Sequence, residues 1–193
     1  MFASAPIIPT IAMNEIFDLA GAAAGAWFGS HGLELRAIAA YAASAPADDP
    51  YEFLTPEEAR EFDAISAQIV PTDETPGARE AHVVRFVDRA LATVYKQVQP
   101  VSQKAFKALG DAVAAKTPGS QSFAALSDPD QIAFLTALEK ADPATFDFFR
   151  GGTMLGMFVD PIHGGNFNKV GWRMIGFEDR YSWTPPFGYY DRV

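Results

Sequence analysis

From residue 55 onward the apolar positions recur at helical spacing. Phe62, Ile65 and Ile69 share one face behind "TPEE" at 55–58. There Thr55 can cap, Pro56 suits the first helical position, and Glu58 can reach back to close a capping box. "VPTDETPG" at 70–77 ends that helix with two prolines and a glycine. Residues 78–98 carry the strongest amphipathic stripe, formed by Val83, Val87, Leu91, Val94, Tyr95 and Val98, and Pro100 is expected to stop it. Val101, Ala105, Leu109 and Val113 continue the period over 101–115, ahead of the turn "KTPGS" at 116–120. "DPDQ" at 128–131 opens a further helix, with Asp128 as cap and Ile132, Leu135 and Leu138 on its stripe. "ADPATF" at 141–146 repeats the device with Asp142 and Pro143, and that helix is expected to run through Phe149 to Met157. No segment alternates apolar and polar residues over a useful length. The pattern therefore predicts an all-α protein: one compact helical domain over 51–193, with an irregular glycine- and aromatic-rich tail from about residue 159. Residues 1–50 form a separate Ala-rich segment, expected to be helical.

Composition narrows the function more than the fold. The chain has 193 residues, 49% hydrophobic and 20% charged, which suits one sizeable core. Of the net charge of −9, most lies in residues 47–74, where nine acids face the single base Arg60. Such a balance repels phosphate backbones and speaks against nucleic-acid binding. The acidic run reads as a solvated face, or more sharply as a docking patch for a basic partner. The absence of Cys excludes disulfides, thiolate metal sites and iron–sulfur ligation.

The N-terminal segment is signal-like but degenerate. "IFDLAGAAAGAWF" at 16–28 has the apolar content of an export signal, and "ASA" at 43–45 has the spacing of a cleavage site. No basic region precedes it: the first base is Arg36, and Glu15 and Asp18 flank the run. Gly25, Gly29 and His31 interrupt it, and it is too short for a membrane span. The expectation is an uncleaved helix that packs on its own domain or on a partner.

No motif assigns chemistry to this chain. "GGTMLG" at 151–156 and "GGNFNKVG" at 164–171 do not fit a dinucleotide fingerprint, no Walker lysine follows them, and no nucleophile elbow exists. The histidines His31, His82 and His163 are far apart. His82 stands between Arg79 and Arg85 and reads as a surface or partner contact. Glu57 with Glu58, and Glu178 with Asp179, read as caps and solvated faces. No catalytic, cofactor-binding or metal residue is assigned. A second reading stays open, a free-standing small enzyme with a carboxylate and histidine metal or substrate site near Asp160 and His163. What remains is "DPIHGGNFNKVGWRMIGFEDRYSW" at 160–183, where glycines allow tight turns and Trp, Tyr and Arg are interface-anchoring types. Its rings either cover the helical core or present a surface to a partner, and one segment can do both.

Two stretches carry a resemblance. "AQIVPTDETPGAREAHVVRFVDRAL" at 67–91 and "FFRGGTMLGMFVDPIHGGNFNKVGWRMIGF" at 148–177 resemble the gluconate 2-dehydrogenase subunit 3 family. The most specific part is the pattern of Pro161, Gly164, Gly165, Asn166, Gly171, Trp172, Ile175, Gly176 and Phe177, and the likeness covers roughly residues 54–180. His163 stands where an aromatic is usual. The resemblance implies a small helical subunit without a catalytic site. It implies a large FAD-containing partner of the glucose–methanol–choline type that oxidises sugars, polyols or glycosides, and often a cytochrome c as electron acceptor. It also implies a periplasmic location and a role in maturing or exporting the flavoprotein, with FAD held by that partner. Asn14 and Glu15 stand where a twin-arginine pair would be. The partner interface is expected at Pro161, Gly164, Gly165, Asn166, Trp172, Arg173, Gly176, Phe177, Tyr181 and Trp183, with Trp172 and Arg173 as anchors.

Overall fold

The computed structural model describes residues 50–117, 119, 122–180 and 182. The expected N-terminal helix, Tyr181 and Trp183 lie outside the described residues. Six α-helices are present among them: α1 (Pro56–Ile69), α2 (Val83–Ala92), α3 (Gln99–Lys116), α4 (Asp128–Ala141), α5 (Pro143–Phe158) and the short α6 (Val170–Met174). Single 3-10 turns occupy Lys96–Val98, Phe123–Ala125, Pro161–His163 and Phe167–Lys169. No strand occurs among the described residues, so the all-α expectation holds.

Helix α5 is the central element and packs against α1, α2, α3, α4 and α6. Its inward residues include Phe149, Thr153, Gly156 and Met157. Around them close Phe62 and Ile65 of α1, Val83 and Val87 of α2, and Leu109 and Val113 of α3. Phe149 lies 5.6 Å from Phe62, 5.3 Å from Phe106 and 5.1 Å from Phe148, centre to centre and mostly edge-on. Burying each such ring contributes about 1.5–3 kcal/mol, which concentrates the cohesion of the domain on α5.

The starts of α1 and α5 follow the sequence closely, and that of α4 is shifted by one residue. The Thr55–Glu58 capping box forms: the Glu58 N–H donates to Thr55 Oγ1 at 3.1 Å, and the Thr55 N–H donates to Glu58 Oε2 at 2.9 Å. Asp142 caps α5 by accepting from the Thr145 N–H at 3.2 Å. The cap of α4 is Ser127 instead of Asp128, because the Gln131 N–H bonds to the Ser127 carbonyl at 2.8 Å, one position earlier than expected.

Three stripe expectations are corrected. Residues 78–98 do not form one helix. His82 adopts a left-handed φ of 56° and starts α2 late. Thr93 ends it early: its hydroxyl donates back to the Arg89 carbonyl at 2.6 Å while its backbone leaves the helical region. Pro100 does not stop a helix; it sits in the first turn of α3, where its missing N–H would have had no partner. Ile132 is exposed, and Gln131 takes the inward position. The Gln131 amide donates to the Phe123 and Leu126 carbonyls at 3.2 Å each and accepts from Gln68 at 2.7 Å, so a polar side chain joins α4 to the preceding loop.

Residues 51–54 are strapped to α2 by one carboxylate. Asp88 is 2% exposed and accepts from the N–H groups of Glu52, Phe53 and Leu54 at 2.9, 2.9 and 2.8 Å. The Arg85 guanidinium lies 4.3 Å from the centre of the Tyr51 ring, and Leu54 enters the core. The acidic run is partly structural too. Glu61 accepts from the Ser122 hydroxyl and the Ala124 N–H, and Asp63 pairs with Arg79 at 2.8 Å.

Candidate functional site

The irregular segment after α5 still contains two single 3-10 turns and the short helix α6. Asp160 accepts from the Ile162 N–H at 3.0 Å and so forms the turn Pro161–His163. Gly164 follows at φ 90° and returns its N–H to the Pro161 carbonyl. Gly165 then passes so close to the end of α5 that a Cβ there would lie 2.5 Å from the Gly156 carbonyl oxygen. Only glycine fits that approach.

Asn166 is fully buried and joins two helix ends. Its backbone N–H donates to the Gly156 carbonyl at 2.7 Å, and Nδ2 donates to the Val159 carbonyl at 3.0 Å. Its Oδ1 accepts from the N–H groups of Gly171 at 2.8 Å and Trp172 at 3.4 Å. Carbonyls at a helix C-terminus and N–H groups at a helix N-terminus lack partners within their own helices. Here one side chain serves α5 and α6 at once. The bridge draws α6 onto α5 so tightly that a Cβ on Gly171 would lie 1.9 Å from the Met157 carbonyl oxygen. Asn166, Asn168 and Lys169 hold left-handed φ values of 45°, 54° and 59°. Such backbones cost roughly 1 kcal/mol or more each, so the surrounding bonds must hold them in place.

Trp172 is half-buried over this junction. Its Nε1 donates to the Phe158 carbonyl at 2.9 Å, and its ring meets Phe177 edge-on at 4.9 Å. The indole thus covers the end of α5 and keeps an outer face. Phe167 donates its N–H to the Ala81 carbonyl and stacks on His82 at 4.2 Å and 8°. Desolvation, then the charges of Arg85 and Arg89, hold the His82 imidazole below its ordinary pKa. The expected surface histidine is therefore half covered by a ring of its own chain.

The eight expected interface residues that are described do not share one environment. Gly165 and Asn166 are buried, and Pro161 and Gly164 are half-buried in the turn. They shape the segment from within. Arg173, Gly176 and Phe177 are exposed, and Trp172 is between the two groups. The exposed apolar members beside them are Ile162, Phe167, Met174 and Ile175, the last 61% exposed, with Met154 and Leu155 on the last turns of α5. Of these, sequence reasoning considered only Ile175. The signal for Met154 and Leu155 was present: Phe149, Thr153, Gly156 and Met157 mark the inner face of α5, and the pair falls outside that stripe.

Asp160 and His163 belong to one turn, in which the His163 N–H donates to the Asp160 carbonyl at 2.9 Å. Asp160 is exposed and engaged in its turn, whereas His163 is buried. Among the described residues no group of three or more His, Cys, Asp or Glu could hold a metal ion. A cleft of about 450 Å³ opens elsewhere, lined by Tyr51, Arg60, Asp63, Arg79, Asp128 and Gln131 among others. Its polar groups are already committed, Arg79 to Asp63, Arg60 to Glu57, and Gln131 to the neighbouring loop. No helix among the described residues is long and apolar enough to cross a membrane.

A family model described as gluconate 2-dehydrogenase subunit 3 matches residues 56–179, from the first residue of α1 to just beyond the Trp172–Phe177 pair. No curated protein and no solved structure matches the chain. The family match spans more than half of the sequence and contains the whole Asn166-centred junction, so this chain belongs to the gluconate 2-dehydrogenase subunit 3 family.

Proposed function

We propose that this chain is the non-catalytic accessory subunit of an FAD-dependent sugar, polyol or glycoside dehydrogenase. In this reading the large flavoprotein partner, of the glucose–methanol–choline type, holds the FAD and carries out the oxidation, and a cytochrome c accepts the electrons. The complex is periplasmic, and the small subunit stabilises its partner and helps to mature or export it. Family membership supports the subunit role. The observation that carries the docking surface is the apolar face around α6: Phe167, Ile175 and Phe177 stand exposed on a backbone fixed by interior hydrogen bonds. Soluble chains seldom leave such a face bare, and a rigid face loses little entropy on binding. Trp172 and Arg173 are its anchors, and Gly176 lets the chain turn between Ile175 and Phe177. Pro161, Gly164, Gly165 and Asn166 contribute by shaping it.

The test is to purify the affinity-tagged full chain from its native host. The expected result is a stoichiometric complex with a large flavoprotein whose absorbance shows bound flavin. Ile175→Asp should weaken that complex at least tenfold without lowering the melting temperature of the isolated chain. A flavin-free preparation with sugar-oxidising activity of its own would favour the free-standing enzyme. A chain that purifies alone from the host would remove the subunit reading.

A further inference from the structure

The chain contains five methionines and no cysteine, so thioethers are its only sulfur. The three in the described residues differ sharply in environment. Met157 is fully buried, whereas Met154 and Met174 are 41% and 37% exposed. Met154 lies on α5 one turn before the crossing of α5 and α6, and Met174 is the last residue of α6. The crossing itself is fixed by the contact of Gly171 with the Met157 carbonyl and by the bond from Trp172 Nε1 to the Phe158 carbonyl. Met154 precedes the exposed Leu155 and Met174 precedes the exposed Ile175, on two elements that cross at Met157 and Phe158.

We propose that Met154 and Met174 are reversible oxidation sites through which peroxide controls the docking face; this rests on the subunit reading given above. Hydrogen peroxide transfers one oxygen atom to the thioether sulfur, which loses two electrons, and the peroxide leaves as water. The product sulfoxide is reduced back by methionine sulfoxide reductases, which take two electrons from a dithiol, leave it as a disulfide and release the oxygen as water. Oxidation replaces a soft apolar group by a strong hydrogen-bond acceptor. In water that acceptor is solvated, so the free chain tolerates it. Beneath a partner, an acceptor left without a donor weakens association by about tenfold. The assembled complex shields the same sulfurs, so oxidation acts on the unassembled chain.

The first arm of the test needs no partner. The purified full chain is treated with hydrogen peroxide and followed by peptide mass mapping. Met154 and Met174 should each gain one oxygen well before Met157, and sulfoxide reductase should reverse the gain. Oxidation of Met157 at the same rate, in protein that stays folded by circular dichroism, overturns the inference. The second arm measures association with the co-purifying flavoprotein before and after peroxide, each protein compared with itself. Wild type should weaken about tenfold or more, and Met154→Leu/Met174→Leu should change less than twofold. Equal change in both, or none in wild type, overturns the proposed control. Ile175→Asp separates the failures. If it abolishes association while oxidation has no effect, only the oxidation proposal falls. If it too has no effect, the docking face itself is wrong.

Discussion

The side chain of Asn166 presents no atom to solvent, yet the geometry of the face around it depends on three of its bonds. Asn166→Ala would leave the Val159 carbonyl and the Gly171 N–H without their partners. Each such loss costs about 1–3 kcal/mol, and alanine is also strained at a φ of 45°. The expected outcome is local: hydrogen exchange of amides 166–174 should rise sharply while α1 and α3 stay protected. Asn166→Gly relieves the backbone strain alone, so recovery of protection in that variant would show that strain, and not hydrogen bonding, is what matters. Asp88 plays a comparable part for residues 52–54. Asp88→Ala removes the acceptor of three N–H groups, one of them buried, and should cost roughly 3 kcal/mol in denaturant unfolding. His82 gives a pH signature. Its folded-state pKa lies below the ordinary 6.5, so protons bind the unfolded chain more tightly. The stability it contributes is complete above that value and is lost as pH falls through the lower folded-state pKa. Melting temperatures measured between about pH 7.5 and 5 should therefore fall less in His82→Asn than in wild type, asparagine being able to keep the left-handed backbone.

At the scale of elements, glycine decides how closely helices approach α5. Gly152 and Gly156 face Phe62 and Val83, and an added Cβ would come within 2.8 and 2.9 Å of those side chains. Gly171 instead faces a backbone carbonyl at 1.9 Å, which cannot swing aside. Gly110, inside α3, faces nothing within 4 Å. These three environments set an order for alanine substitution. Gly110→Ala should stabilise by about 1 kcal/mol through helix propensity. Gly156→Ala should cost an intermediate amount, because the added Cβ meets Val83 at 2.9 Å from a methyl and 3.1 Å from Cα, less closely than the carbonyl contact at Gly171. Gly171→Ala should cost most, because α6 must lift off α5. Thermal melts of the three variants test the ranking; a benign Gly171→Ala would mean that α6 is not seated as described.

For the whole molecule, the arrangement separates cohesion from recognition. The phenylalanine cluster on α5 supplies the cohesion, and α6 is laid across its last turn as a thin outer layer. Trp172 belongs to both. Trp172→Ala should lower the melting temperature, since it removes the Phe158 bond and the Phe177 contact, and should also weaken assembly well over tenfold. Ile175→Asp should do only the second, because Ile175 is largely exposed. The isolated chain is expected to bind no flavin and reduce no dye with any sugar. A yellow, dye-reducing preparation of this chain alone would refute that.

The sequence by itself determined the helical class, the starts of α1 and α5, and the inner faces of α1, α2 and α3. These depend on residues within a turn or two of one another: a capping pair, a proline in the first turn, an apolar period. It also marked residues 160–183 as unlike the rest. Only the tertiary structure decided how that segment is used. Asn166 and Gly165 turn inward because orphan groups at two helix ends need partners, and nothing local announces where those ends will meet. Gln131 displaces Ile132 from the core because loop carbonyls five and eight residues away require a donor. Asp88 is buried because three N–H groups 34 to 36 residues earlier converge on it. Hydropathy ranks a side chain by its own affinity for water, whereas burial is settled by the partners that the fold brings to it.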